Sequence, residues 1–178
     1  MRKQKFHIIS KKIIFIMLFS TITTYAVAQT LWQNTEYGMS VEEIQKLFPS
    51  SFIPDPPDKY FDVIEQLRLN DYIVVNENFY VSFLFKDNEL RHVILTCQNL
   101  PNKTRGQLIF NNLEQSLTAQ YGTPFSTKKA DSMLGASMWD CNWLLGRTDI
   151  GLHYISIRDD TINLSVVYKI QIMEEADE

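Results

Sequence analysis

The sequence has few of the residues from which metal centres and nucleophilic sites are built. It contains two cysteines and three histidines among 178 residues, and it has no HExxH, CxxC or paired-histidine spacing. Because zinc sites use closely spaced ligands of these types, we predict neither a metal nor another cofactor. The chain also lacks a catalytic or nucleotide-binding motif, which indicates a protein that is not an enzyme.

Long apolar runs are also scarce, and one stands near the N-terminus. Five lysines and arginines in residues 2–12 precede an apolar run over residues 13–19, and Ala26-Val27-Ala28 has the small side chains that a signal peptidase requires. An uncleaved membrane anchor is the alternative, but a spanning helix needs about 20 mainly apolar residues. Residues 1–28 are therefore predicted to be a signal peptide. The mature chain, from Gln29, is expected in the periplasm of a Gram-negative bacterium.

The predicted cleavage site is not followed by the cysteine that a lipoprotein needs for its lipid. The first cysteine in the chain is Cys97. The sequence has no second membrane signal either, so we expect the mature protein to be neither lipidated nor anchored in a membrane.

The predicted mature chain has few cationic residues. Of the 17 lysines and arginines, five lie in the leader, which leaves 12 against 21 acidic residues and a net charge of −9. This charge disfavours nucleic acid, whose binding depends on Lys and Arg, and it favours a cationic protein partner. Solubility alone is the other explanation. Residues 174–178 are expected to form a solvated acidic tail.

Capping signals and helical periodicity predict two helices. The first covers residues 40–48, where the initial serine and Glu43 have the spacing of a capping box and Pro49 stops the helix. The second covers Lys103–Tyr121, where apolar residues recur at helical spacing and Gly122 is suited to the position after the last turn.

Alternating apolar and polar side chains predict several strands. The clearest segments are residues 79–85, 90–97, 138–145, 150–157 and 161–172. A short strand is expected over residues 72–75, residues 63–69 are ambiguous between helix and strand, and residues 126–135 have the composition of a polar loop. The polar residues 86–89 predict a hairpin turn between the first two clear strands.

This order of elements predicts an α+β fold. One helix is followed by three or four strands, and a second helix by three more, with short hairpin connections. We therefore expect an antiparallel sheet with the helices on one face, formed by a single domain over residues 29–173. The similar ends of the two helices leave open whether residues 29–98 and 99–173 are tandem α/β repeats.

The stretch over residues 32–49, with Tyr37-Gly38-Met39-Ser40-Val41-Glu42-Glu43-Ile44 at its centre, resembles the opening of a group of small secreted α/β proteins. The group includes β-lactamase-inhibitor-protein-like domains and the small lipoprotein of the outer-membrane β-barrel assembly machinery, in which such a turn caps a helix that packs on an antiparallel sheet. The resemblance implies an envelope protein that binds other proteins and catalyses nothing. The lipidated cysteine of the assembly lipoprotein has no counterpart here, since Gln29 occupies the predicted mature N-terminus.

The two cysteines are the first candidate site residues. In an oxidising compartment, Cys97 and Cys141 are predicted to form a disulfide, and two buried free thiols are the alternative. A thiol enzyme would need a histidine beside one of them. His92 lies five positions from Cys97 on one predicted strand, so their side chains point to opposite faces. Pairing of Cys141 with His153 would require a tertiary contact.

The predicted outer face of the sheet is the second candidate site. Tyr80, Leu84, His92 and Ile94 are expected on that face, and apolar side chains there indicate a surface that a partner covers. The leading hypothesis is a periplasmic protein that binds another protein or an envelope component. The alternatives are an inhibitor or immunity protein against a basic cell-wall hydrolase, and a small hydrolase that uses a cysteine or histidine.

Overall fold

The computed structural model describes residues 29–133, 135–157 and 161–171. The predicted signal peptide and the predicted acidic tail lie outside these ranges. None of the helices within them is long and apolar enough to cross a membrane. In chain order, the described elements are α1 (Val41–Leu47), β1 (Lys59–Tyr60), β2 (Val63–Val74), β3 (Glu77–Lys86), β4 (Glu89–Cys97), α2 (Lys103–Tyr121), β5 (Ser126–Asp131), β6 (Ser137–Leu145), β7 (Thr148–Ile157) and β8 (Thr161–Ile170).

All eight strands belong to one antiparallel sheet, in the order β1-β2-β3-β4-β8-β7-β6-β5. The sheet is curled into a half-barrel, and the predicted α+β class with an antiparallel sheet is confirmed. Each helix precedes four strands, and the last strand of each set, β4 or β8, lies at the centre of the sheet. The strand order is therefore symmetric about the β4–β8 pair. That the two halves are repeats stays a prediction.

The strand count differs from the expected one in the second half, where the helix precedes four strands and not three. The additional strand is β5, within the segment predicted to be a polar loop. β5 pairs only with β6, and five of its six side chains are exposed, so the strand has no buried face to produce alternation in its sequence. Residues 63–69 and 72–74 belong to the single strand β2, in which the register shifts between Leu69 and Tyr72, and Val75 lies in the turn that follows.

The predicted helix ends agree closely with the observed ones. The Glu43 carboxylate accepts a hydrogen bond from the Ser40 amide, and the Ser40 hydroxyl accepts one from the Glu43 amide, which confirms the capping box. α2 has the predicted bounds. It is capped by Asn102, whose side chain accepts a hydrogen bond from the Arg105 amide at 2.9 Å. The hairpin predicted at residues 86–89 is also confirmed.

The main core lies between the helices and one face of the sheet. α2 packs on β6, β7 and β8, while α1 contacts β2 and adds Ile44 to the same apolar cluster. Gly106 allows α2 to approach β7 closely, since a Cβ at this position would lie 2.7 Å from a ring carbon of Tyr154. The fully buried Phe79, Phe83 and Trp143 fill the cluster from the strands. In each strand, alternate side chains point into this core, and the side chains between them point to the opposite face of the sheet.

Candidate functional site

The sheet has a second face, turned away from the main core, which we call the open face. The strand register places side chains of neighbouring strands side by side on it. One such row crosses five strands, from β3 to β6 through the central pair, and consists of Tyr80, Thr96, Ser165, His153 and Asp140. This row is polar, and it crosses the middle of the sheet.

The four residues predicted to form an interaction face all lie on the open face. Leu84 pairs with His92 across β3 and β4, and Tyr80 and Ile94 occupy the same side of these strands. Their exposure differs, however. Leu84 is 0% and Ile94 7% exposed, because they form a small second cluster with Val63. Tyr80 and His92 are partly exposed, so two of the four side chains are accessible and the other two support them.

Next to this small cluster lie residues 54–62, which we call the arm, and Tyr60 of the arm pairs with Val63 of the cluster. The arm contains β1, and its tip residue Phe61 is fully exposed. Phe61 and Tyr60 form one side of a groove of about 280 Å³, and Ile94 and Val167 of the central strands lie on the other side. Nothing in the sequence predicts this feature, because the arm contains five prolines and aspartates in a row and no apolar periodicity.

A buried carboxylate anchors the arm to the open face. Glu65 is 1% exposed and accepts hydrogen bonds from Arg68 at 2.7 and 2.5 Å and from the Ser82 hydroxyl at 2.6 Å. Arg68 also donates to Asp58 of the arm at 3.0 Å, and the Asp58 amide donates to Glu65 at 3.2 Å. The hydrogen bonds to Glu65 raise the pKa of Arg68. The arm is thus held by a charged network whose central Glu65 carboxylate is screened from water.

An aromatic contact adds to this anchor. The guanidinium carbon of Arg68 lies 4.8 Å from the ring centroid of Tyr80, which is within the range of a cation–π interaction. Burial and the nearby Asp58 carboxylate raise the pKa of Tyr60 in the arm. Tyr60 therefore remains a neutral, hydroxyl-bearing side chain at the edge of the groove in neutral solution.

A histidine–aspartate pair occupies the part of the open face formed by β6 and β7. His153 Nδ1 lies 2.7 Å from Asp140 Oδ1. The ring extends across Gly151, where a Cβ would lie 2.3 Å from His153 Nε2. Such a pair can hold an imidazole in one orientation. In the described part of the chain, no hydroxyl or thiol is hydrogen-bonded to this imidazole, so the geometry provides an oriented polar group without an adjacent nucleophile.

The predicted disulfide between Cys97 and Cys141 is wrong. Both cysteines are free and buried, which agrees with the alternative of two apolar thiols. Cys97 lies on β4 and Cys141 on β6, with β8 and β7 between them. Three strand spacings of about 4.8 Å separate their backbones by roughly 14 Å, whereas a disulfide requires Cα atoms within about 7 Å.

The cysteines are also separated from the histidines. Cys97 and Cys141 belong to the main core cluster, whereas His92 and His153 lie on the open face. Burial raises the pKa of Cys97 to about 11, and burial together with the Glu114 carboxylate raises the pKa of Cys141. Neither thiol is therefore activated as a nucleophile, because the thiolate is the reactive form.

No cluster of three or more His, Cys, Asp or Glu side chains that could hold a metal ion occurs in residues 29–133, 135–157 and 161–171. The candidate site is therefore the open face itself, with its anchored arm, its apolar groove and its central polar row. Comparisons of the chain with protein families, with characterised proteins and with solved structures found no match.

Proposed function

We propose that this protein is a secreted binding module, without enzymatic activity, that holds another protein on its open face. The observation that carries the proposal is the fully exposed Phe61 beside the groove over the central strands. A phenylalanine side chain gains about 1.5–3 kcal/mol when it is moved from water into an apolar environment. Aromatic side chains of this kind are common among the residues that dominate binding energy at protein interfaces.

The conformation of Phe61 adds a second argument. Its φ angle is +53°, in the left-handed region that residues with a Cβ rarely adopt. Strain of this kind is found preferentially at functional positions. The Glu65–Arg68–Asp58 network holds the arm in place, so little conformational freedom remains to be lost on binding.

The far side of the open face carries a second apolar patch. Met138, Ile155 and Ile157 are exposed there and line a groove of about 260 Å³. Thr96 and Ser165 of the polar row line the groove beside Phe61. Apolar contacts combined with oriented polar groups are typical of a protein interface.

The predicted leader and the charge of the mature chain suggest where the partner acts and what it is like. Cleavage of residues 1–28 would release the protein into the periplasm of a Gram-negative bacterium, and a net charge of −9 would speed its encounter with a cationic protein. The second candidate function follows from that charge and from the resemblance to inhibitor-like domains: an inhibitor or immunity protein against a basic cell-wall hydrolase.

Site-specific photocrosslinking tests the binding proposal directly. A photoreactive phenylalanine analogue is placed at Phe61, and as a matched control at Phe125, which is 66% exposed but lies outside the open face. We expect a discrete crosslinked protein from position 61 in intact cells and none from position 125. Equal crosslinking from both positions, or none from position 61, would contradict the proposal.

Once the crosslinked partner is purified, its affinity provides the quantitative test. Phe61→Ala should weaken binding about tenfold, which corresponds to about 1.4 kcal/mol, whereas Phe125→Ala should leave it unchanged. The inhibitor hypothesis is tested separately with purified basic lysozymes and amidases. It requires a stoichiometric loss of hydrolase activity, and its failure leaves the binding proposal intact.

A further inference from the structure

A separate cavity of about 460 Å³ lies on the helix side of the sheet. Its floor consists of Leu95 on β4 and Val166 and Tyr168 on β8. One wall is α2, and the opposite wall is formed by the β2–β3 hairpin and the N-terminal segment around Trp32. α2 packs on β6–β8 and α1 contacts β2, and the cavity lies between α2 and the β2–β3 hairpin.

The chemistry of the lining is unusual for this chain. Every side chain that lines the cavity is uncharged, although 21% of the residues in the sequence are charged. Transfer of an ionised group from water to such surroundings is strongly unfavourable when no opposite charge or hydrogen-bond partner compensates it. The lining therefore selects against ions and favours a neutral molecule.

Polar groups are present, but they are hydroxyls and amides. Gln33 donates a hydrogen bond to the Tyr72 hydroxyl at 2.9 Å, and the exposed side chains of Ser116 and Gln120 lie at the rim on α2. Tyr168 is deeply buried, and burial together with the neighbouring Tyr121 raises its pKa. These groups can donate to or accept from a neutral oxygen, while the floor contacts an apolar body.

We propose that this cavity binds a small, uncharged and amphipathic molecule whose apolar part contacts the floor and whose hydroxyl or carbonyl group meets the polar rim formed by Tyr72 and Gln120. Its volume lies within the range of small-molecule sites, about 300–1,000 Å³. The site is independent of the open face, since the sheet separates the two. A ligand here would also bridge α2 and the β2–β3 hairpin, which belong to different halves of the chain.

Titration with the uncharged fluorescent probe N-phenyl-1-naphthylamine tests the proposal. We expect a saturable rise in probe emission with one probe bound per chain. Ser116→Trp should obstruct the rim and weaken binding at least about tenfold. Gln115→Trp, at an exposed position on the same helix outside the lining, should bind as the parent does. Unfolding curves for both variants establish that they are folded.

Two further measurements locate and characterise the site. 8-Anilinonaphthalene-1-sulfonate, a probe of similar shape with a negative charge, should bind at least about tenfold more weakly than the neutral probe, because the cavity offers no cation. Phe61→Ala should bind the neutral probe normally. Any of four results would overturn the proposal: non-saturable binding, equal binding of both probes, loss of binding in Phe61→Ala, or unchanged binding in folded Ser116→Trp.

Discussion

The Glu65 carboxylate accepts two hydrogen bonds from the Arg68 guanidinium, from Nε at 2.7 Å and from Nη2 at 2.5 Å. The Glu65 side chain is 0% exposed and that of Arg68 22%. The pair joins β2 to the arm through Asp58. It therefore links the stability of the sheet to the position of Phe61 over the open face.

Removal of Arg68 should destabilise the fold strongly. Arg68→Ala leaves the Glu65 carboxylate buried without its cation, and loss of one partner of a buried pair lowers the free energy of unfolding by about 3–5 kcal/mol. Because Arg68 is partly exposed, we expect a value near the lower end of this range. Urea denaturation followed by tryptophan fluorescence measures it.

The exposed ion pair between Lys86 and Asp62 provides the matched control. Its two atoms lie 2.6 Å apart, but the side chains are 46% and 65% exposed. Lys86→Ala should therefore leave the free energy of unfolding nearly unchanged. Equal destabilisation by Arg68→Ala and Lys86→Ala would show that the Glu65 network contributes no special stability.

Acidification should destabilise the protein through His92. Burial, then the positive charges of Lys169 and Arg91, lower the pKa of His92 in the folded state, while Asp62 opposes this shift. The unfolded chain then binds the proton more tightly, so this contribution to stability is complete above the unfolded pKa of about 6.5 and is lost as pH falls below it.

A variant isolates the contribution of His92 from those of the carboxylates. His92→Gln should lose less stability than the parent between about pH 7.5 and pH 5.5, because one proton-binding group has been removed. Unfolding free energies at the two pH values provide the comparison. Parallel losses in the parent and the variant would show that His92 does not contribute to the pH dependence.

The two buried thiols should behave as unreactive apolar groups. We expect non-reducing mass spectrometry of the purified protein to show two free thiols, and dithiothreitol to leave the melting temperature unchanged. Alkylation by iodoacetamide should be slow in the native state and fast in urea, since burial raises the pKa of Cys97 to about 11. A mass lower by two hydrogens would mean that the cysteines are bonded.

The close approach of α2 to β7 makes Gly106 a sensitive position. Alanine is the better helix former by about 1 kcal/mol, yet its Cβ would lie 2.7 Å from the Tyr154 ring. Overpacking of this kind destabilises by about 1–3 kcal/mol, so we expect Gly106→Ala to lower the melting temperature. Asn111→Ala, at an exposed position of the same helix, should be neutral or slightly stabilising.

Some of the open face could be anticipated before the structure was known. Alternation along residues 79–85 correctly separated Tyr80 and Leu84 from the core-facing phenylalanines, because side-chain direction in a strand depends only on the parity of position. The burial of Leu84 could not be foreseen. It results from packing against Val63 of β2 and Ile94 of β4, which only the tertiary structure brings together.

The sequence by itself determined the local elements of this protein. The Ser40 cap, the bounds of α2 and the hairpin over residues 86–89 follow from residues a few positions apart, so they are encoded in short segments. Only the tertiary structure decided that β4 lies beside β8, which separates Cys97 from Cys141 and opens the cavity above the central strands. Strand order depends on the packing of segments distant in sequence, and no single segment contains that information.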